Sequence, residues 1–152
     1  MKKLFAVILT VALLMSLSVT AFAANTTGGE ADITTSIAPT YTVTIPADVN
    51  VQFNATETDF GAIEVAASQI HPDKCIKVAL TTDNKLNNVI DNTKVIPYTI
   101  KDSEGAAFIS ATYLTEGDKT ELSIPITAND WNAAYAGDYS DTVTFTVSYE
   151  DK

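Results

Sequence analysis

Near the C-terminus, Tyr139, Val143, Phe145, Val147 and Tyr149 occupy one phase of a two-residue period, while Ser140, Thr142, Thr144, Thr146 and Ser148 occupy the other. Successive strand side chains point to opposite faces of a sheet, so residues 139–149 can bury a single apolar face as a strand and not as a helix. The same alternation recurs upstream. Tyr41, Val43 and Ile45 alternate with Thr42 and Thr44 up to Pro46, which cannot donate to a continuing ladder. Ile76, Val78 and Leu80 define a third inward face, opposite Cys75, Lys77 and Ala79. Ile96, Tyr98 and Ile100 define a fourth, and Leu122, Ile124 and Ile126 a fifth. Weaker strands are expected at 33–37, 49–53, 61–66 and 106–111.

Turn chemistry separates these runs: Asp83-Asn84, Asp91-Asn92, Asp102-Ser103-Glu104-Gly105, Glu116-Gly117-Asp118 and Ala136-Gly137-Asp138 all fall between strand candidates. Residues 62–70 and 129–135 could each supply a short turn of helix. Pro97 and Pro125 lie on the outward phase, which predicts edge strands or strand entries. The pattern predicts an all-β fold, an Ig-like antiparallel β-sandwich of about eight or nine short strands. A closed barrel satisfies the same pattern.

The N-terminus has a different logic. Lys2 and Lys3 precede an apolar run at 4–17, followed by the small-residue site Ala21-Phe22-Ala23. This is the organisation of a cleavable secretory signal peptide over 1–23. A membrane anchor is the alternative, but a helix crossing a bilayer needs roughly 20 apolar residues and this run is shorter. Residues 24–32, polar and carrying Gly28-Gly29, read as a flexible leader, and 33–152 as the β-sandwich domain. The product is expected to be secreted, held at a cell surface through partners if at all, since Glu150-Asp151-Lys152 carries no sorting motif or apolar tail.

Charge narrows the partners. The formal net charge is −10, cleavage of the signal would remove two lysines and no acid, and there is no arginine. Such a surface repels polyanions and anionic lipid, which excludes nucleic acid and argues against membrane binding. Cys75 is the single cysteine, so no intrachain disulfide can form, and it is read as a small strand residue rather than a reactive thiol.

No catalytic constellation is legible. His71 is the single histidine, beside Pro72 and near Ser68 and Asp73. A hydrolase would have to rest its base function on that one side chain, and local spacing does not make a triad. Phosphate loops, metalloprotease helices and nucleophile elbows are missing, so no catalytic residue, metal or cofactor is expected. Asp102, Glu104, Glu116, Asp118, Asp138 and Asp141 form a pool from which a weak calcium site could be drawn, but Asp is also the ordinary residue of turns. Lys77 and Lys101 could form isopeptide bonds with Asn or Asp. Trp131 and Tyr135 could form an exposed aromatic platform for a glycan or a protein, or else plug the core.

Two stretches carry a family resemblance. Thr40-Tyr41-Thr42-Val43-Thr44-Ile45-Pro46-Ala47 resembles a segment common in small secreted proteins of Gram-positive bacteria. The stretch from Ala136, with Gly137 and Tyr139 ahead of a long alternating strand, resembles the final strand of spore-coat-U and fimbrial-subunit-like sandwiches. That resemblance implies a non-enzymatic surface or pilus-like component. It departs from the pattern in lacking the disulfide that many such subunits carry.

The expected function is therefore a secreted structural or adhesive protein, with Ile33, Thr35 and Ile37 as a donated strand for self-association. A carbohydrate- or protein-binding module using Trp131 and Tyr135 is the alternative, and a small secreted hydrolase ranks below both.

Overall fold

A computed structural model of the chain describes residues 30–152; the expected signal peptide and residues 24–29 of the leader lie outside the described residues. The fold is mostly strand: β1 (Thr40–Thr44), β2 (Glu57–Gln69), β3 (Lys74–Thr81), β4 (Lys85–Asn88), β5 (Val95–Pro97), β6 (Lys101–Asp102), β7 (Ser110–Tyr113), β8 (Lys119–Pro125), the helix α1 (Ala128–Ala133), β9 (Tyr139–Ser140) and β10 (Thr144–Asp151). Three sheets result, ordered β1-β2-β8-β6, β10-β3-β7 and β5-β4-β9, and every pairing is antiparallel.

The inward phases read from sequence meet in one core. Val43, Ile63, Val65, Leu122 and Ile124 of the four-stranded sheet share a cluster with Ile76, Val78 and Tyr113 of the β10-β3-β7 sheet; Ile96 joins it from β5, and Ile100, Phe108 and Ile126 from connecting segments. Ring contacts link the two larger sheets: Phe60 lies 6.1 Å from Phe145, and Tyr41 stacks on Tyr149 at 5.8 Å. The Tyr113 hydroxyl donates to Thr120 Oγ1 at 2.8 Å.

β2 is long because a bulge lets it bend without losing its partners. The register against β8 shifts between Asp59 and Gly61. Gly61 has φ +93°, a value its lack of Cβ makes cheap, and its N–H donates to Asp59 Oδ1 at 2.8 Å.

Several expectations from sequence are corrected. Residues 33–37 and 49–53 form no strand, and 106–111 contributes only the start of β7, at Ser110 and Ala111. The helical option at 62–70 is overridden by β2, whereas 129–135 does supply α1. The C-terminal run is not continuous: it breaks between β9 and β10, where the Asp141 carboxylate takes the Tyr98 hydroxyl at 2.5 Å and the Thr142 N–H at 2.7 Å. Pro97 does close an edge strand, β5, but Pro125 ends the interior strand β8. Cys75 is buried although it lies opposite the main inward face.

The pairings give the molecule two distinct ends. β1 enters where Thr40 meets Gln69, at the end of β2 that also holds the 70–73 turn and the last residues of β10, because Asp151 pairs with Lys74. At the other end of β2, Glu57 pairs with Pro125, after which the chain enters α1. β2 has 13 residues, so about 3.3 Å per residue puts these ends at most roughly 40 Å apart.

Candidate functional site

The leader reaches β1 at the first end. Glu30 to Ile37 is exposed and without regular structure, with Ile33 99% and Ile37 68% accessible. Ile33, Thr35 and Ile37 share one strand phase, yet they pair with no strand of their own fold.

At the opposite end, α1 is a six-residue helix whose N-cap, Thr127, accepts the Asp130 N–H at 3.2 Å. Its one buried residue is Trp131. The indole Nε1 donates to the Ala55 carbonyl at 2.8 Å and Phe53 meets the ring edge-on at 5.6 Å. Of the two alternatives Trp131 takes that of a plug, tying α1 to the 45–56 loop, and it forms no exposed platform with Tyr135. An indole on an exposed helix face would leave its large apolar surface in water, so burial wins once one acceptor is in reach.

Tyr135 does stand out, 63% exposed, with Lys94 Nζ 4.6 Å above its ring. The β4–β5 connection exposes Val89 and Ile90, and Val95, the first residue of β5, is also exposed. That connection is held in shape by the buried Asn88, whose Oδ1 accepts the N–H groups of Ile90 (3.0 Å) and Asp91 (3.1 Å), while the Val89 N–H donates to the Asp138 carbonyl at 2.9 Å. Phe53, Val89, Ile90 and Lys94 escape the period-two reading because they lie in connections. The signal that could have found them is the adjacent pair Val89-Ile90 placed directly before an Asp-Asn turn.

The remaining candidates do not converge. His71 is exposed, its Nδ1 3.3 Å from the Asp73 N–H and 3.7 Å from the Asp73 carboxylate. The Ser68 hydroxyl is directed to the Leu114 carbonyl at 3.4 Å and is not hydrogen-bonded to His71. Two members of the acidic pool are used within their own turns, Asp102 Oδ1 accepting the Glu104 and Ala106 N–H groups and Asp118 those of Leu114 and Thr115, while Asp141 accepts the distant Tyr98 hydroxyl. Those backbone donors, Leu114 first, hold the Asp118 carboxyl below its ordinary value. Among the described residues no three of His, Cys, Asp and Glu are grouped to hold a metal ion. Lys77, half-exposed, pairs with Glu150 at 3.4 Å.

Two concavities lie elsewhere, one of about 380 Å³ bordered by Thr82, Asn84 and Ile109, the other of about 600 Å³ between Glu57, Asp102 and Glu121. Neither contains Trp131 or Tyr135. Among the described residues no helix is long and apolar enough to cross a membrane. No family model, curated protein or solved structure matches this chain.

Proposed function

We propose that this chain is an exported, non-enzymatic structural or adhesive module with an Ig-like sandwich fold, self-associating through its N-terminal stretch as a pilus-like subunit would. The carrying observation is the state of residues 33–37, two isoleucines in one strand phase, Ile33 wholly and Ile37 largely in water. Leaving such a side chain exposed forfeits roughly 1.5–3 kcal/mol of burial each, which contact with a second copy would recover.

The sandwich reading is supported by the single core shared between the two larger sheets. Export is supported by the charged, apolar and small-residue order of residues 1–23, and an acidic surface without arginine suits life outside the cell. Intact mass of the product recovered from the medium tests cleavage after Ala23.

Light scattering of that product tests assembly. Concentration-dependent polymers are expected, and a variant lacking 24–37 is expected to form none. A wild-type protein that is monomeric throughout contradicts the reading. The second reading, a glycan- or protein-binding module, now rests on Tyr135 alone; a glycan array on which wild type gives no signal removes its carbohydrate form.

A further inference from the structure

The free edges of the three sheets differ in how well they are protected. β6 and β9 have two residues each, β5 three and β7 four. β1 has five, lies between Pro39 and Pro46, and shifts register between Thr42 and Val43. β10 has eight residues, no proline or glycine, and an unbroken register against β3. Its two charges, Glu150 and Asp151, lie at one end and are engaged by Lys77 and Lys74 of β3. Short strands, prolines and bulges keep an edge from pairing, and β10 has none of them.

The backbone phase of this edge is set by its neighbour. The Lys152 N–H donates to the Asp73 carbonyl at 3.1 Å, and hydrogen-bonded pairs alternate along an antiparallel ladder, so the even-numbered residues of β10 turn their backbone groups to β3. On the far side of β3 the Leu80 N–H donates to the Ile109 carbonyl, which leaves Lys77, Ala79 and Thr81 to face Ser148, Thr146 and Thr144 in the same phase. Among the described residues, Phe145, Val147 and Tyr149 therefore present unpaired N–H and C=O groups at the edge. Their side chains lie on the inward face yet are only half-covered, whereas Val78 and Ile76, opposite Val147 and Tyr149 on β3, are fully buried.

We infer that β10 pairs antiparallel with β10 of a second copy, about a two-fold axis at Val147. Directly paired residues share a face, and on this strand the free backbone groups and the inward side chains both fall on odd-numbered residues, so the strand is complementary to itself. Centred on Val147, the pairing sets Phe145 against the second copy's Tyr149 and covers the open flank of both rings. Glu150 falls opposite Thr144 and Asp151 opposite Val143, so no like charges meet directly. A second β10 suits this edge better than the leader, because it is already a strand of the right phase while residues 30–37 would first have to be ordered. The contact is isologous and closes at the dimer. The net negative charge of each copy opposes it at low ionic strength.

The inference stands apart from the leader reading, and exported full-length protein carrying I33D/I37D separates the two because its leader has lost both isoleucines. Sedimentation velocity of that protein is expected to show monomer at an ionic strength of about 0.01 M and dimer, nothing larger, at about 0.15 M, where the screening length has fallen from roughly 30 Å to roughly 8 Å. On the same background Thr144→Glu sets like charges opposite each other twice per dimer and should weaken it about threefold or more, while Thr144→Lys should tighten it by a similar factor. Thr112→Glu and Thr112→Lys, exposed on β7 and equal in charge, should change it little. Val147→Pro removes an edge N–H without touching a bond to β3 and should abolish the dimer. A protein that stays monomeric at about 0.15 M salt up to about 1 mM chain, a dimer indifferent to Val147→Pro, or Thr144 variants that move it no more than the Thr112 ones, overturns the inference. None of these outcomes touches the leader reading, which stands or falls on the polymers of wild type.

Discussion

Single residues at the α1 end divide cleanly into those that hold the fold and those that face outward. Trp131→Ala removes a buried indole and orphans the Ala55 carbonyl, and should cost about 3–5 kcal/mol in urea unfolding. Tyr135→Ala should change stability by no more than about 0.5 kcal/mol, its ring being largely in solvent. Gly137 has φ +146°, and a Cβ there would lie 2.6 Å from Asn88 Nδ2. Gly137→Ala should therefore displace the side chain that shapes the 88–91 connection, at about 1–3 kcal/mol. Tyr98 is a pH-sensitive member of the core. Burial, then the bond to Asp141, raises its phenol well above the ordinary 10.0. The folded state keeps this proton where the unfolded chain loses it, so the contribution is complete below pH 10 and is lost as pH rises beyond it. Tyr98→Phe should cost about 1–2 kcal/mol at neutral pH and flatten that alkaline fall, both read from denaturation midpoints.

At the scale of elements, the β7–β8 turn depends on Asp118, which collects the Leu114 and Thr115 N–H groups and the Thr115 hydroxyl. Its carboxyl is depressed below 3.8, so its contribution is present above that pH and is lost as acid protonates the folded form. Asp118→Asn should thus narrow the difference between stability at pH 5 and pH 2.

Elements that alternate and bury one face were legible in the sequence: the cores of β1, β3, β8 and β10 follow the inward residues read from period two. What escaped was set by contacts distant in sequence. Asp141 interrupts the last strand because Tyr98 lies opposite it, and Trp131 turns inward because Ala55 offers a carbonyl across 76 residues. The alternation at 33–37 had the strand pattern without a strand partner, which periodicity alone cannot supply. The leader and Tyr135 were visible in the sequence, whereas Phe53, Val89 and Ile90 lie in connections and carried no periodic signal.

For the whole molecule, the exposed isoleucines of the leader stand beside a body whose net negative charge otherwise repels other copies. Non-specific association is disfavoured by that charge, so the proposed self-association is expected to depend on the leader and on concentration. The most direct measurement is hydrogen exchange on the exported protein at low and high concentration. Residues 30–37 should exchange freely when dilute and gain protection when concentrated. Exchange at 30–37 that stays free at every concentration would contradict the account.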